Sequence, residues 1–205
     1  INALCDPKFL RELESVNKII PVIACVDVPG LDCTHIFQEE EESTDQLIHY
    51  MAEKGYQDVL LMGGYSQVRT TSVRRKKIIK YAKQYGINIR QEIIDCDYSA
   101  DGGNIAMQEL IEKGNLPQAI ICINDLVATG ALNELYKNSL QVPQDVAIVG
   151  YDDLATSKFI YPGITTIGCN YKEYSKAIVK AIEEIETNKI GNVKIPTELV
   201  VRGTT

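Results

Sequence analysis

One stretch limits the possible folds of this chain more than any other. Residues 146–150 (VAIVG) form an unbroken apolar run of strand length, and Tyr151, Asp152 and Asp153 follow it directly. An apolar run without polar alternation, with helical patterns on both sides, predicts a strand buried on both faces and therefore a parallel sheet. In such sheets ligands bind beyond the carboxyl ends of the strands. We therefore expect these three side chains at a ligand-binding edge.

The same order of strand followed by helix recurs through most of the chain. Apolar, β-branched runs predict the buried strands, and the segments between them carry apolar residues at helical spacing. The predicted strands are 19–26, 35–37, 58–62, 91–96, 119–123, 146–150, 164–167 and 197–202. Strands that alternate with helices predict an α/β fold of doubly wound parallel sheets with right-handed crossovers.

Helix ends are marked by capping residues, charge and glycines. Asp6 followed by Pro7 predicts an N-cap and a first helical residue, and this helix is predicted to end near Asn17. The acidic run 39–42 predicts the first turn of a second helix, because carboxylates suit the N-terminal end of the helix dipole. The other predicted features are a core face of Leu47, Ile48 and Met51, helix ends at Gly55, Gly86 and Gly114, and a helix over 174–186.

The composition excludes several classes of function. The formal charge of −7 argues against direct nucleic-acid binding by these 205 residues, so DNA contact is expected only through a segment outside this chain. Six cysteines form no CxxC pair and no metal-ligand spacing, which predicts reduced, intracellular thiols and a cytoplasmic protein. No apolar run approaches membrane-spanning length and no leader is evident, so no membrane partner is expected.

Polar side chains follow most of the predicted strands. They are Asp27, the loop 63–74, the pair 97–98, the pair 124–125 and the triplet 151–153. Carboxylates and amides exchange hydrogen bonds with hydroxyl groups, guanidinium groups donate in a fork, and aromatic rings stack on apolar faces. This set predicts the binding of a polyhydroxylated small molecule such as a sugar.

The same residue types also serve as ordinary caps and packing groups, so each assignment has an alternative. Asp153 is interpreted as a cap for the residues after it, which leaves Asp152 as the ligand residue. Asn124 is assigned to the ligand and Asp125 to the helix cap. Tyr98 either stacks on a ligand or packs against its own loop.

Two arginines compete for one place on the basic helix that ends at Gly86. Arg74 lies four residues before Ile78 and Arg75 lies four residues before Ile79, so each shares a face with an apolar residue. Spacing alone does not choose between them. The lysines that follow are interpreted as a solvated helix face.

Catalysis has little support in the sequence. Only two histidines are present, His35 and His49, and neither stands in a recognisable pairing with a serine or cysteine nucleophile. The Gly63–Gly64 pair belongs to neither a dinucleotide fingerprint nor a phosphate-binding loop. We therefore expect a protein that is not an enzyme and that uses no cofactor and no metal.

Three stretches contain specific sequence motifs: 117–132 (PQAIICINDLVATGAL), 141–167 (QVPQDVAIVGYDDLATSKFIYPGITTI) and 195–205 (IPTELVVRGTT). With looser matches at 20–28 and 55–87, the chain resembles the effector-binding core of the lactose-repressor/galactose-repressor (LacI/GalR) family of bacterial transcription regulators. The resemblance covers essentially the whole chain. Periplasmic sugar-binding proteins share the expected fold but fewer of these sequence motifs.

The resemblance implies a periplasmic-binding-protein-like (type I) fold of two α/β lobes, joined by three crossings near 36–38, 168–170 and 196, with an effector held between the lobes. It assigns 1–37 and 170–195 to part of an N-terminal lobe, and 38–169 and 196–205 to a complete C-terminal lobe. It favours Arg74 over Arg75. The ligand-binding residues that it implies are Asp27, Arg74, Tyr98, Asn124, Asp152 and Tyr171.

The resemblance also implies partners: a sugar or sugar-phosphate effector, operator DNA bound through a helix-turn-helix headpiece that this chain lacks, and a second copy of the chain. The helix over 126–136 and the segment 159–161 are the candidate dimer surface. Arg75 and Lys77 stand where the family usually has leucine and glycine, which favours a phosphorylated or acidic effector. The alternative function is a sugar-binding receptor of an ABC-type transporter.

Overall fold

The computed structural model describes residues 7–185 and 191–205, which form two compact units. One unit consists of the described parts of Ile1–Glu40 and Cys169–Thr197, and the other consists of Glu41–Gly168 and Glu198–Thr205. In chain order the elements are α1 Pro7–Asn17, β1 Ile23–Ala24, β2 Thr34–Glu39, α2 Glu41–Glu53, β3 Asp58–Met62, α3 Arg69–Tyr85, β4 Asn88–Ile94, α4 Ala100–Glu112, β5 Ala119–Cys122, α5 Asp125–Lys137, β6 Ala147–Asp152, β7 Thr165–Cys169, α6 Tyr171–Glu183 and β8 Asn192–Val200.

The larger unit is built on a parallel sheet with helices on both faces. Its strand order is β7-β6-β5-β3-β4, and every neighbouring pair is parallel. Side chains alternate across β3: Val59 and Leu61 pack with α2 and α3, whereas Leu60 and Met62 pack with α4 and α5. All four are buried, as an unbroken apolar run in a parallel sheet predicts. The predicted doubly wound α/β architecture is confirmed.

The smaller unit contains the parallel strands β1 and β2, the part of β8 up to Thr197, and the helices α1 and α6. A small core of Val28, Leu31 and Cys33 packs against apolar residues of α1. The hydroxyl of Tyr174 donates to the carbonyl of Cys25 at 2.6 Å, which ties α6 to the segment after β1. Burial raises the pKa of Tyr174 to about 12, so this hydroxyl keeps its proton at neutral pH.

Several predicted elements have the bounds that the sequence suggests. The strand over 58–62 is β3, α1 ends at Asn17, and Leu47, Ile48 and Met51 are the buried face of α2. Gly86 caps α3 in the left-handed conformation, with φ of 73°. The predicted N-cap Asp6 and the predicted helix end at Glu186 lie outside the described residues.

Other bounds were predicted wrongly. The strand over 19–26 is reduced to Ile23–Ala24, and among the described residues β1 pairs only with β2; Ile19 is 82% exposed. β4 starts at Asn88 because that residue pairs with Asp58 at the start of β3. α6 begins three residues earlier than predicted, at Tyr171, because the Asn170 side chain accepts from the Glu173 amide and caps it.

The acidic run 39–42 does not lie wholly in the first turn of a helix. Glu39 ends β2, whereas Glu41 and Glu42 occupy the first turn of α2. The Lys80 and Tyr81 side chains both hydrogen-bond the Glu41 carboxylate and lower its pKa. This cluster fastens the start of α2 to α3.

No helix in the part of the chain that the structure describes is long and apolar enough to cross a membrane. Within the same residues, no group of three or more His, Cys, Asp or Glu side chains is placed to hold a metal ion.

Candidate functional site

Arg74 lies at the carboxyl-end edge of the larger sheet. Its guanidinium carbon is 4.1 Å from the centroid of the Tyr151 ring, and its Nη1 donates to the carbonyl of Ile123 at 2.6 Å. Tyr151 is fully buried, so its ring is a fixed platform for the cation. From the sequence, Tyr151 is expected beyond the end of the strand. Instead β6 continues to Asp152, because Tyr151 pairs with Ile167 of β7.

Asn124 connects two neighbouring loops at this edge. Its side-chain oxygen accepts from the Val127 amide at 2.8 Å, which makes Asn124 the N-cap of α5. Its side-chain nitrogen donates to the carbonyl of Tyr98 at 2.9 Å. The prediction that Asp125 caps this helix is therefore wrong: Asn124 is the cap, and one amide group fixes both the helix start and the loop that carries Tyr98.

Tyr98 is held by an aromatic and polar cluster. Its hydroxyl lies 2.9 Å from the Thr71 hydroxyl, and its ring meets the Tyr65 ring edge to face at 6.4 Å between centroids. Tyr65 lies within the predicted loop 63–74 but was not itself predicted as a site residue. The signal was available, because an aromatic residue directly after two glycines at a strand end is placed at the ligand-binding edge.

Arg75 has a structural task inside the same loop. It is 6% exposed, and its Nη2 donates to the carbonyls of Gly63 at 2.7 Å and Gly64 at 2.9 Å and to the carboxylate of Asp95 at 2.8 Å. Both glycines have positive φ, 89° and 72°, in the region that favours glycine. Arg75 thus fixes the shape of the loop after β3. This arrangement supports Arg74, not Arg75, as the arginine that meets a ligand.

Asp152 and Asp153 form a strained turn at the end of β6. Their φ angles are 100° and 47°, in a region that costs a non-glycine residue about 1–3 kcal/mol. The Asp153 carboxylate accepts from Arg202 at 2.6 Å, and the same guanidinium donates to the carbonyl of Ile164. Residues 154–158 are not helical, so the interpretation of Asp153 as a helix cap is wrong. Asp153 instead anchors the C-terminal segment to this turn.

Asp125 is a buried carboxylate that accepts three hydrogen bonds from this turn and from β7. Oδ2 accepts from the Leu154 amide at 2.9 Å and from the Ser157 hydroxyl at 2.6 Å, and Oδ1 accepts from the Thr166 hydroxyl at 2.7 Å. Burial raises the pKa of Asp125, and the three hydrogen bonds oppose that rise. This role was not predicted from the sequence, because the donors lie 29 to 41 residues away along the chain.

The remaining two predicted residues belong to the smaller unit. Asp27 follows β1, and its carboxylate, 47% exposed, lies 3.9 Å from Nδ1 of His35. That nitrogen accepts from the Val28 amide while Nε2 of His35 lies 2.8 Å from the carbonyl of Leu31, so the pattern fits the neutral ring protonated at Nε2. Tyr171 is the first residue of α6 and is 47% exposed.

Four of the six predicted residues are thus at one edge of one sheet. Arg74 contacts the residues that directly precede Asn124 and Asp152, and Asn124 bonds the backbone of Tyr98. The edge presents a cation, aromatic rings, an amide and a carboxylate. Such groups bind hydroxyl-rich or anionic small molecules.

A doubly wound parallel sheet with this polar edge defines the chain as a ligand-binding domain. Residues 48–205 match the family model described as "Periplasmic binding protein-like domain", and the chain belongs to that family. The predicted type I fold class is confirmed.

The curated relatives are bacterial repressors. The chain is 27% identical over 203 residues to the probable HTH-type transcriptional repressor ExuR of Bacillus subtilis (strain 168), covering 96% of this chain and 60% of that protein. It is 24% identical over 202 residues to the HTH-type transcriptional repressor CytR of Escherichia coli (strain K12), covering 96% and 59%. The chain therefore spans about three-fifths of the length of the relatives that it matches.

A solved structure shows the same fold. The crystal structure of the Lac repressor dimer bound to operator and the anti-inducer ONPF superimposes with a TM-score of 0.85 at 23% identity, covering 97% of this chain and 70% of that one. Together with the repressor relatives, this confirms the predicted resemblance to the LacI/GalR family.

Proposed function

We propose that this chain is the effector-binding core of a DNA-binding transcription repressor. The observation that carries the proposal is the contact of Arg74 with both the buried Tyr151 ring and the carbonyl of Ile123, which places a cation beside Asn124 and Asp152 at a ligand-binding edge. The relatives are repressors, which supports a regulator over a transport receptor and over an enzyme. In this proposal the protein acts in the cytoplasm, uses no cofactor and meets operator DNA through a headpiece elsewhere in the full protein.

The effector in this proposal is a sugar or sugar phosphate. Hydroxyl groups suit the Asn124 amide and the Asp152 carboxylate, and the Tyr98 ring suits the apolar face of a pyranose. α3 carries seven lysines and arginines and no acidic residue, which favours an effector with a phosphate or carboxylate. Asp27 and Tyr171 are proposed as further ligand residues on the family resemblance alone. The division into an N-terminal lobe of 1–37 and 170–195 and a C-terminal lobe of 38–169 and 196–205 is also proposed on the family resemblance alone.

Two copies of the chain associate in this proposal, since two-fold dimers match palindromic operators. The candidate surface lies on the larger unit, where Phe159 is 78% exposed and Tyr161 is 86% exposed. A groove of about 590 Å³ separates these residues from α5 and is lined by Thr129, Leu132, Asn133, Tyr136, Ile160 and Tyr161. Large exposed aromatic groups beside an apolar groove are typical of a protein interface.

Replacement of Arg74 by alanine tests the effector site. Wild-type protein is screened by thermal shift against neutral sugars, uronates and sugar phosphates, and the affinity of the compound with the largest shift is measured by titration calorimetry. Because a charge-assisted hydrogen bond contributes about 1.5–3 kcal/mol, Arg74→Ala is expected to weaken that affinity by about tenfold to a hundredfold.

Lys76→Ala is the matched control, because Lys76 is an exposed cation on the same helix. It is expected to bind that compound like the wild type. Equal affinities in Arg74→Ala and wild type would contradict the site, and a screen without any shift would contradict the sugar-like effector. In the full protein, Asp152→Ala is expected to retain operator binding and lose its release by the same compound.

A further inference from the structure

We infer that Asp125 is a positioning residue: its buried carboxylate holds the turn in which Asp152 is presented at the ligand-binding edge. The inference rests on the proposed function where it treats Asp152 as a ligand residue. It differs from that proposal because Asp125 itself is 0% exposed and meets no ligand. It acts through the backbone of the residues that follow Asp152.

The hydrogen bonds follow the turn residue by residue. The Asp153 amide donates to the Thr166 hydroxyl at 3.3 Å, and that hydroxyl donates to Asp125 Oδ1 at 2.7 Å. The Leu154 amide donates directly to Asp125 Oδ2 at 2.9 Å. The two backbone amides after Asp152 therefore both depend on one carboxylate, the first through a hydroxyl and the second directly.

This dependence matters because the turn is strained. Asp152 and Asp153 both have positive φ, a conformation that side-chain-bearing residues rarely adopt unless their surroundings impose it. The hydrogen bonds to Asp125 hold the turn in this conformation. Asp125 is itself fixed in place, because it is the first residue of α5 and its Oδ2 also accepts from Ser157. Loss of the network leaves the turn free to relax toward ordinary φ values, and the Asp152 carboxylate then loses its fixed direction.

The packing around Asp125 reserves space for the carboxylate. A Cβ atom at Gly150 would lie 2.1 Å from Asp125 Oδ1, so β6 carries a glycine where the carboxylate passes. All three donors to the carboxylate are neutral groups. Because none of these three partners is a cation, charge pairing with them does not explain the buried carboxylate. This supports a role for Asp125 in holding the turn.

The test removes one hydroxyl group of the network without removing the carboxylate. In Thr166→Val the side chain keeps its shape and loses the hydroxyl, and in Thr166→Ser the hydroxyl is kept. Hydrogen exchange of the Asp153 and Leu154 amides is followed by NMR on the ligand-free protein. We expect the Asp153 amide to exchange at least tenfold faster in Thr166→Val, because it loses its acceptor there, and both amides to do so in Asp125→Asn. Both amides are expected to exchange near the wild-type rate in Thr166→Ser.

Thr165→Val is the matched control, because Thr165 is the preceding buried residue of β7 and its hydroxyl bonds the C-terminal segment instead. It is expected to leave exchange at Asp153 and Leu154 unchanged even where it lowers the melting temperature. Should Asp125→Asn fail to fold, Thr166→Val decides alone. Unchanged exchange in Thr166→Val, or equal acceleration in Thr165→Val, would overturn the inference.

Ligand affinity separates this inference from the proposed function. With the sugar or sugar phosphate that gives the largest thermal shift, Thr166→Val is expected to bind at least fivefold more weakly and Thr166→Ser like the wild type. Faster exchange with unchanged affinity would overturn the link from Asp125 to the ligand. A screen without any shift would count against the proposed function, and the exchange measurement would still decide whether Asp125 holds the turn.

Discussion

At the residue scale, the adjacent arginines Arg74 and Arg75 of α3 have different tasks. Arg74 is half-buried and lies against the Tyr151 ring, whereas Arg75 is buried and clamps two glycine carbonyls and Asp95. Their directions differ because successive residues on a helix are separated by about 100°. One turn of α3 therefore carries both Arg74, a candidate ligand contact, and Arg75, which stabilises the loop after β3.

Arg75→Ala is expected to lower the free energy of unfolding by about 1–3 kcal/mol, because it removes the donor to two buried loop carbonyls, whereas water can solvate the Asp95 carboxylate, which is 41% exposed. Urea unfolding measures the change. Lys76→Ala on the exposed side of the helix is the control and is expected to change stability by less than about 0.5 kcal/mol. A loss below about 1 kcal/mol in Arg75→Ala would show that the loop does not depend on this clamp.

The sequence predicted the residue types of the site better than their tasks. Asn124 and Asp125 are adjacent, and either side chain suits an N-cap, so propensity does not separate them. Their tasks depend on distant partners: Thr166 and Ser157 reach Asp125, and the Tyr98 carbonyl reaches Asn124. Spacing within one helix carries no information about such partners.

The bounds of the strands were predictable where one local pattern defined them. β3 has four consecutive apolar residues between Asp58 and the glycine pair 63–64, and its bounds were correct. β1 and β4 were not, because their bounds depend on which neighbour they pair with. In the described part of the chain β1 has a partner on one side only, and β4 starts where Asn88 meets Asp58. Pairing of this kind is set by the sheet, not by the segment itself.

α4 and α5 approach each other closely at two glycines. A Cβ atom at Gly130 would lie 1.9 Å from the carbonyl of Ala100, and one at Gly103 would lie 2.2 Å from the carbonyl of Val127. Both obstacles are backbone atoms, which cannot move without moving a whole helix. The two glycines therefore set the distance between the helices, and with it the position of Asn124 at the start of α5.

Gly130→Ala and Gly103→Ala are each expected to lower the free energy of unfolding by about 1–3 kcal/mol, because the added methyl groups force the helices apart. The double variant is expected to cost less than the sum of the single variants, since one separation relieves both contacts. Denaturant unfolding of the four proteins in this cycle measures the coupling. Additive losses would mean that each methyl group is accommodated locally.

At the scale of the whole molecule, the proposed association of two copies depends on a surface of the larger unit. Tyr136 donates from its hydroxyl to the carbonyl of Tyr161 at 3.2 Å, so α5 and the segment 159–161 are already joined within one chain. A partner would cover both parts together. Phe159 and Tyr161 are the largest apolar groups that such a contact would remove from water.

Tyr161→Glu is expected to shift the protein from dimer to monomer, because it places a charge in the centre of the proposed contact. Sedimentation velocity of the wild type and the variant at matched concentrations measures the change. Ile105→Glu, at an apolar position on α4 that is 58% exposed, is the control and is expected to keep the wild-type sedimentation coefficient. A variant that sediments like the wild type would place the dimer contact elsewhere.

The backbone passes from one compact unit to the other three times, after Glu40, Gly168 and Thr197. Neither unit is encoded by one uninterrupted stretch of the gene, so no simple truncation yields either of them alone. A protease that cuts one passage produces two fragments that share at least one unit. Packing within that shared unit holds the fragments together, and a nicked sample would migrate as intact protein until it is denatured. Separate expression of the larger unit requires a splice that joins Gly168 directly to Glu198.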